Sequence, residues 1–289
     1  MVELRKVQGG AENMRIIKVT GRGQLKIKPD YKNWIPKSMI AKPAVGTALC
    51  TAGAVISGKM LKNKPKVRML TQMILGAGTV GLLGTTVWLA ALYRAFDYKG
   101  KRRMAKKIID GIADHVRIPL GGTGLDVGCG SGALTIACAK RNPYATMVGC
   151  DIWSGVYRSV FTKELCKKNA DAEGVVNVHF EEGNATKLPF ANESFDAVTS
   201  NYVYHNIVGK NKQELLMETL RVLKKGGTFA IHDLMSKLRY GDMKAFVFKL
   251  KAMGYEDVRL IDTTEGSFMS HKEAVLLGIV GSTLLIGKK

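Results

Sequence analysis

The stretch that most constrains the fold of this chain is the glycine-rich segment at residues 123–132, TGLDVGCGSG. Its short apolar run ending in an acid predicts a buried strand, its alternate glycines predict a tight turn, and the ALTIACAK segment behind them predicts a helix. Glycine lets a ligand approach the main chain closely, and a helix start offers unpaired N–H donors. The segment therefore predicts a loop that binds a nucleoside-type cofactor.

Two cofactor classes fit this loop. Gly128, Gly130 and Ala133 satisfy the dinucleotide pattern G-x-G-x-x-G/A, and Asp151 lies where a ribose-binding acid is expected. Asp126 favours the other class, because a carboxylate at the mouth of the turn would repel a pyrophosphate but suits a positively charged cofactor. The spacing of Asp126 and its three following alternate glycines resembles the first motif of class I S-adenosylmethionine-dependent methyltransferases. An NAD(P)-dependent oxidoreductase is the alternative.

Later segments resemble that family in the same order. Asp151 ends a second apolar run, and in the family this acid binds the ribose hydroxyls. Residues 181–190 are similar to the segment that holds the adenine, with Asn184 where the family often has Asp; its amide oxygen can still accept a hydrogen bond. The resemblance covers residues from about 101 to 289 and implies S-adenosyl-L-methionine as cofactor. The candidate cofactor contacts are Asp126, Gly128, Cys129, Gly130, Gly132, Asp151, Ile152, Asn184, Ala185 and Asn201.

The alternation of apolar runs and helical segments predicts an α/β fold with a mostly parallel sheet. Together with the resemblance it implies a Rossmann-like, doubly wound, seven-stranded sheet with an antiparallel last strand. Strands are expected near 123–127, 145–150, 176–181, 195–200, 227–232, 257–262 and 282–286. Helices are expected near 101–116, 132–141, 156–172, 211–223 and 241–253.

Residues that follow the fourth and fifth predicted strands are the candidates for handling a methyl acceptor, since ligands sit beyond the carboxyl ends of such strands. Methyl transfer needs mainly good positioning, with a base only for an acceptor that arrives protonated. His205, beside Tyr204, is the first candidate base because imidazole titrates near neutral pH. Asp233, after His232, is the second candidate. Asn201 is not followed by Pro-Pro-Tyr or Pro-Pro-Phe, so the motif of enzymes that methylate base or glutamine nitrogens is not indicated.

The amino-terminal third has a different character. Residues 1–42 form a basic segment in which 15–28 alternate as in a β-hairpin, and no signal peptide is predicted. Residues 43–94 are expected to be a membrane anchor of one or two transmembrane helices, because 43–58 and 69–93 carry no charge and a bilayer core takes ~20 residues. Small residues recur every fourth position, at 46, 50, 54 and 58 and at 77, 81 and 85, which favours close helix contact or a helix-mediated oligomer. Residues 95–289 are the predicted methyltransferase domain.

Charge is concentrated in the same region. Of the 44 Lys and Arg residues 22 lie in positions 1–107, against 4 of the 24 Asp and Glu. Because these cations flank apolar segments, they favour anionic lipid headgroups over nucleic acid as a partner. The five cysteines form no C-x-x-C pair, so no metal is expected.

Composition and motifs together predict a membrane-associated methyltransferase acting on a lipophilic or small-molecule acceptor such as a lipid or quinone. Its catalytic domain is expected to face the cytoplasm, where S-adenosylmethionine is made. A non-catalytic membrane-bound interaction protein with the same fold is a further alternative.

Overall fold

The computed structural model describes residues 28–154 and 160–289. Most of the predicted β-hairpin at 15–28 and the first residues of the helix expected at 156–172 lie outside these ranges. The helices are α1 Lys37–Met60, α2 Pro65–Phe96, α3 Met104–Ala113, α4 Ala133–Arg141, α5 Lys163–Glu173, α6 Lys212–Arg221, α7 Lys237–Tyr240, α8 Met243–Ala252 and α9 His271–Leu277. The strands are β1 Thr123–Val127, β2 Thr146–Asp151, β3 Val178–Glu182, β4 Phe195–Asn201, β5 Leu223–Leu234, β6 Glu256–Asp262 and β7 Ser282–Lys288.

The strands form one seven-stranded sheet in the order β3-β2-β1-β4-β5-β7-β6. The pairs from β3 to β5 are parallel, whereas β7 is antiparallel to both β5 and β6. The predicted Rossmann-like sheet with an antiparallel last strand is therefore confirmed. A dinucleotide-binding fold of order 3-2-1-4-5-6 has no antiparallel strand inserted beside β5, so the topology disfavours the oxidoreductase alternative.

Helices cover both faces of the sheet because its central strands are apolar on both sides. One core joins α3, α4, α9 and the end of α2 on one face, and the other joins α6 and α8 on the opposite face. The parallel strands end at one edge of the sheet. We call this the carboxyl edge; it comprises the residues that directly follow β1, β2, β3, β4 and β5.

Helices α1 and α2 form an antiparallel hairpin that stands apart from the sheet. A Cβ added at Gly46 would lie 2.9 Å from Leu82 Cδ1, and one at Gly53 would lie 3.2 Å from Leu75 Cδ1. Gly46 of the predicted stripe on α1 thus faces α2, as does Gly58, where a Cβ would lie 2.9 Å from Gln72 Nε2; Gly53 faces α2 as well, although it lies outside that stripe. The predicted small stripe on α2 does not face α1, because a Cβ at Gly81 would meet no atom within 4 Å, whereas one at Gly78 would lie 3.3 Å from Cys50 Sγ.

Both hairpin helices are long and apolar enough to cross a membrane, judged by length and composition alone. Their outward side chains are large and apolar; those exposed include Val45, Leu49, Ile56, Leu70, Met73, Ile74, Val80 and Leu83. Helix α1 begins at Lys37, six residues before the uncharged segment. At the other end, Leu89, Leu92 and Phe96 of α2 are buried against the α/β domain.

Residues 28–36, which we call the strap, lie along the α/β domain and lead into α1. The Asp30 N–H donates to Asn169 Oδ1 at 2.7 Å, and Asn33 Nδ2 donates to the Tyr93 carbonyl at 2.7 Å. Buried Asn169 also donates to the Ser131 carbonyl of the glycine-rich turn at 3.0 Å. One side chain of α5 therefore connects the strap to the turn.

Candidate active site

The glycine-rich turn between β1 and α4 has a backbone that side chains disfavour. Gly128, Gly130 and Gly132 have φ values of +72°, +55° and +79°, in the left-handed region. A Cβ at Gly128 would also lie 2.2 Å from Val203 Cγ2, so that position has no room for one. A turn without side chains at these positions is what a cofactor needs to approach the main chain closely.

Asp151 closes β2 directly beside this turn. Its Oδ2 accepts from the Gly130 N–H at 2.9 Å and its Oδ1 accepts from the Trp153 N–H at 2.8 Å. Trp153 Nε1 in turn donates to the Gly130 carbonyl at 2.9 Å. Each carboxylate oxygen has a second lone pair, so Asp151 keeps the capacity to accept from a pair of ribose hydroxyls.

Asp126 lies beneath the turn, not at its mouth as the sequence suggested. Only 1% of it is exposed, and its Oδ2 accepts from Thr135 Oγ1 at 2.7 Å. Burial raises the pKa of Asp126 to about 7, although the Thr135 hydrogen bonds oppose this. The carboxyl therefore supports the first turn of α4 from below.

The loop after β3 carries the residues expected to hold the adenine. Asn184 is exposed, and its Oδ1 accepts from both the N–H and the hydroxyl of Thr186 at 2.9 Å. This turn occupies the oxygen that the sequence assigned to the adenine amino group. The Gly183 N–H donates to the Asp151 carbonyl at 3.1 Å, so the loop lies beside the ribose-binding candidate.

The remaining candidate cofactor contacts differ in accessibility. Ile152 is half exposed after β2, and Ala185 is partly buried against the core below. Cys129 is buried, and burial raises the pKa of its thiol. Its predicted contact would have to be made by its main chain.

His205 and Asp233 meet at the carboxyl edge, after β4 and at the end of β5. His205 Nδ1 lies 2.5 Å from Asp233 Oδ1, and Asp233 Oδ2 accepts from the N–H groups of Tyr204 and His205 at 2.8 and 3.2 Å. The Asp233 side chain is fully buried, whereas 18% of the His205 side chain is exposed. Burial alone would raise the pKa of Asp233, but the hydrogen bond and charge of His205 outweigh it and hold that pKa below its usual value. An ionised carboxylate thus orients an accessible imidazole.

Tyr204 is a correction to the sequence interpretation. It is fully buried, and its hydroxyl lies 2.7 Å from Thr219 Oγ1 on α6. A hydroxyl directed into the core beneath the sheet does not reach an acceptor at the carboxyl edge. In the 3₁₀ turn at Tyr204–Asn206 successive side chains differ in direction by about 120°, so Tyr204 enters the core while His205 stays accessible, which the sequence pattern did not reveal.

Asn201, which is partly buried, and His232, which is fully buried, form a polar pair across β4 and β5. His232 Nδ1 lies 2.9 Å from Asn201 Oδ1, and its Nε2 lies 3.0 Å from Thr263 Oγ1. Burial lowers the pKa of His232 to about 3, so this imidazole is neutral at physiological pH. With both ring nitrogens occupied, His232 is a structural residue that holds Asn201 at the edge.

Sequence reasoning missed Trp34, an aromatic residue of the strap. Its ring centroid lies 5.2 Å from that of Phe96 at the end of α2 and 5.7 Å from that of Tyr202 after β4. Tyr202 in turn contacts the rings of His205 and His232 at 5.9 and 4.7 Å. No spacing rule links Trp34 to a site more than 160 residues away. The only signal in the sequence was the presence of an aromatic residue within the basic amino-terminal segment.

The donors and acceptors at this edge fit a nucleoside cofactor. The glycine-rich turn, the spare lone pairs of Asp151 and the exposed loop at Asn184 lie side by side at the ends of β1, β2 and β3. Within residues 28–154 and 160–289, no three His, Cys, Asp or Glu side chains are grouped to hold a metal.

Comparison with known proteins assigns this region to a family. Residues 125–231 match the methyltransferase domain model. The chain is 33% identical over 110 residues to an uncharacterized methyltransferase of Bacillus subtilis (strain 168), covering 38% of this chain and 39% of that protein. It is 31% identical over 117 residues to a demethylmenaquinone methyltransferase of Lactobacillus johnsonii, covering 40% of this chain and 45% of that protein. The chain thus spans less than half the length of these curated relatives.

Among solved structures, geranyl diphosphate C-methyltransferase from Streptomyces coelicolor A3(2) has a similar fold. The TM-score is 0.51 at 15% identity, over 68% of this chain and 83% of that one. Taken with the strand order, these matches show that residues 125–231 carry a methyltransferase domain within a fold of the class I, S-adenosylmethionine-dependent type.

Proposed function

We propose that this protein transfers a methyl group from S-adenosylmethionine to a lipophilic acceptor, such as a quinone or lipid, that reaches the site from a membrane. One observation carries the proposal: Trp34 contacts both Phe96 at the foot of the hairpin and Tyr202 at the carboxyl edge. An apolar molecule leaving the hairpin region would meet an aromatic wall that continues to His205.

The cofactor would lie across the glycine-rich turn. Asp151 would accept from its ribose hydroxyls, the main chain at Gly128–Gly132 would contact it closely, and the loop at Asn184 and Ala185 would border its adenine. When bound, the cofactor supplies an electrophilic methyl group on a sulfonium. The protein's main task is to hold the acceptor in line with that group.

His205 would remove a proton from an acceptor that arrives protonated. Asp233 keeps its Nδ1 engaged at 2.5 Å, which leaves Nε2 as the nitrogen available to an acceptor. The buried carboxylate fixes the orientation of the ring through Nδ1 and so holds Nε2 toward the carboxyl edge. We therefore assign His205 as the base and Asp233 as its positioning residue.

The hairpin would anchor the domain to the membrane. Helix α2 has 32 residues, about 48 Å at ~1.5 Å per residue, which exceeds the ~30 Å hydrocarbon core. Its last two turns pack on the α/β domain, so the remainder suffices to span. The cationic residues at 99–107 follow directly and would contact anionic headgroups on the cytoplasmic side.

The quinone class is favoured among lipophilic acceptors. The chain resembles demethylmenaquinone methyltransferases, such as that of Geobacillus stearothermophilus, at 27% identity over 170 residues. A flat ring also suits the aromatic lining that Trp34 and Tyr202 provide.

A labelled-methyl assay tests this function. Membranes containing the full chain would be incubated with S-adenosylmethionine labelled in its methyl group, and the products separated into organic and aqueous phases. We expect label in the organic phase, its loss in Asp151→Ala, and a reduced rate in Trp34→Ala with unchanged affinity for S-adenosylhomocysteine. Label confined to the aqueous phase would contradict the acceptor class. Bound S-adenosylhomocysteine without any transfer would instead support the non-catalytic alternative.

A further inference from the structure

The outer face of α9 is apolar although the helix lies on the surface of the α/β domain. Its inner residues Ala274 and Leu277 are buried, whereas Val275 and Leu276 are 58% and 69% exposed. Val280, just beyond the helix, is 50% exposed. An exposed apolar patch of this kind on the surface of a folded domain indicates a site that binds a partner.

Contacts of Trp88 place this face beside the hairpin. Trp88 Nε1 on α2 donates to the Leu276 carbonyl at 3.0 Å, and a Cβ at Gly278 would lie 3.1 Å from its ring. Since Gly46 faces Leu82, the antiparallel pairing brings Lys42, the last charge before the apolar segment of α1, within about one turn of Trp88. Tryptophan and lysine at that level mark the boundary between hydrocarbon and headgroups. The outer face of α9 lies at the same level.

A further exposed apolar residue lies in the segment that follows β5. Leu238 in α7 is 97% exposed between Lys237 and Arg239. The Met235 N–H donates to the Gly281 carbonyl at 2.8 Å, which joins the segment before α7 to the segment after α9. Both segments lie at the carboxyl edge, because one follows β5 and the other precedes the antiparallel β7.

Polar contacts as well as apolar packing fix the position of α9. Arg102, in the cationic join after α2, donates to the Glu273 carboxylate and to the Phe268 carbonyl at 3.0 Å. Glu273 also completes a capping box with Ser270 at the start of the helix. These bonds join α9 to the segment that follows α2.

We propose that Val275, Leu276, Val280 and Leu238 form an interfacial patch that inserts into the headgroup region of an anionic bilayer, with Lys237, Arg239 and Lys272 contacting lipid phosphates. This rests on the proposed function, since it requires the hairpin to be in a membrane. Apolar side chains ringed by cations are the composition that anionic interfaces bind. The patch would turn the carboxyl edge, with His205 and Tyr202, toward the lipid that supplies the acceptor.

Depth measurements on the full chain test the patch. An environment-sensitive fluorophore would be attached at Leu238→Cys and at Leu276→Cys in a Cys50→Ala background. Leu120→Cys and Val176→Cys are matched controls, because these residues are 83% and 92% exposed but precede β1 and β3 at the opposite edge of the sheet. The labelled proteins would be reconstituted in phosphatidylcholine–phosphatidylglycerol vesicles with and without headgroup-level nitroxide lipid.

We expect blue-shifted emission and nitroxide quenching at positions 238 and 276, and neither at 120 and 176. Co-flotation with the vesicles but equal quenching at all four positions would overturn the patch and leave the hairpin anchor intact. A blue shift at 238 and 276 without lipid quenching would indicate burial against protein, such as a second copy of the chain, and would also overturn it. Failure to float would contradict the anchor and the patch together, whereas catalysis would be judged separately by the labelled-methyl assay.

Discussion

The two halves of the molecule use apolar residues in opposite ways. Helix α1 has 24 residues, of which only Ser57 is buried, whereas α3 has 10 residues, of which six are buried. Most apolar residues of the α/β domain are thus enclosed, whereas those of the hairpin are mostly exposed. Because the hydrophobic effect scales with the area removed from water, the exposed surface of the hairpin supports the proposal that it lies in a membrane.

Glycine shows the same contrast. In the domain, Gly128 occupies a left-handed turn in which a Cβ would overlap Val203. In the hairpin, Gly46 and Gly53 have ordinary helical backbones and simply admit leucine side chains of α2. The first use shapes a binding site, and the second brings two helices together.

The largest expected effect lies in the domain, at His205. We expect His205→Gln to lower the rate of methyl transfer by about 10²–10⁴-fold, because proton removal is lost, with S-adenosylhomocysteine affinity unchanged. Single-turnover transfer measured against pH checks this, and Asp233→Asn should change the same pH profile. His271→Gln, an exposed histidine of α9, is the control. A rate within about twofold of wild type would remove His205 from the mechanism.

The next effect concerns stability and should be confined to the domain. The pKa of Asp126 is about 7 when folded and about 3.9 in an unfolded chain, so the folded state holds the proton more tightly. This stability is present at low pH and is lost as pH rises through 7, amounting to about 4 kcal/mol between pH 4 and pH 8.

Asp126→Asn should remove that pH dependence, which urea unfolding at several pH values would measure. The hairpin helices contain no Asp or Glu, so their stability should not follow pH in the same way. An unchanged pH dependence in the variant would mean that the Asp126 carboxyl is not buried as described.

At Asp151 we expect a binding effect that is the same in detergent and in membranes. Asp151→Ala removes the acceptor of two backbone N–H groups and of the proposed ribose contact, and should weaken S-adenosylhomocysteine binding about 100-fold. Glu182→Ala is the matched control, since Glu182 pairs with Asp151 across β2 and β3 and is exposed. Equal affinities for the two variants would contradict the ribose assignment.

The smallest effect should be confined to the hairpin. Gly46→Leu would force Leu82 aside and destabilise the α1–α2 contact by about 1–3 kcal/mol, whereas Gly81→Leu extends into open space. Loss of helical circular dichroism during sodium dodecyl sulfate titration of the micelle-bound protein would measure the difference. If Gly46→Leu also weakened S-adenosylhomocysteine binding, the two regions would not be independent.

The sequence was informative wherever local chemistry decides structure. An acid that ends a short apolar run marked the carboxyl ends of β1 and β2, and the alternate glycines marked the turn between β1 and α4. The antiparallel β7 followed from the family resemblance. Where the helix was expected to continue to residue 223, it ends at Arg221 and β5 begins at Leu223, which pairs with Phe195 of β4 ahead of an irregularity in the register.

Features that depend on distant contacts were not predictable. Trp34 and Asn169 acquire their roles from contacts between segments that are far apart in the sequence. No fixed residue spacing predicts such contacts. Tyr204 follows β4 as His205 does, yet its ring enters the core because the short 3₁₀ turn rotates it inward. On α2, Gly78 rather than Gly81 meets α1, since helix crossing geometry and not residue size alone selects the contacting face.

Whether the glycine-rich turn binds the methyltransferase cofactor can be measured by calorimetric titration of the full-length protein in detergent with S-adenosylhomocysteine and, in parallel, with NAD. We expect saturable binding of S-adenosylhomocysteine at one site per chain, greatly weakened in Asp151→Ala, and no comparable binding of NAD. Absence of S-adenosylhomocysteine binding, or equal binding of NAD, would contradict this expectation.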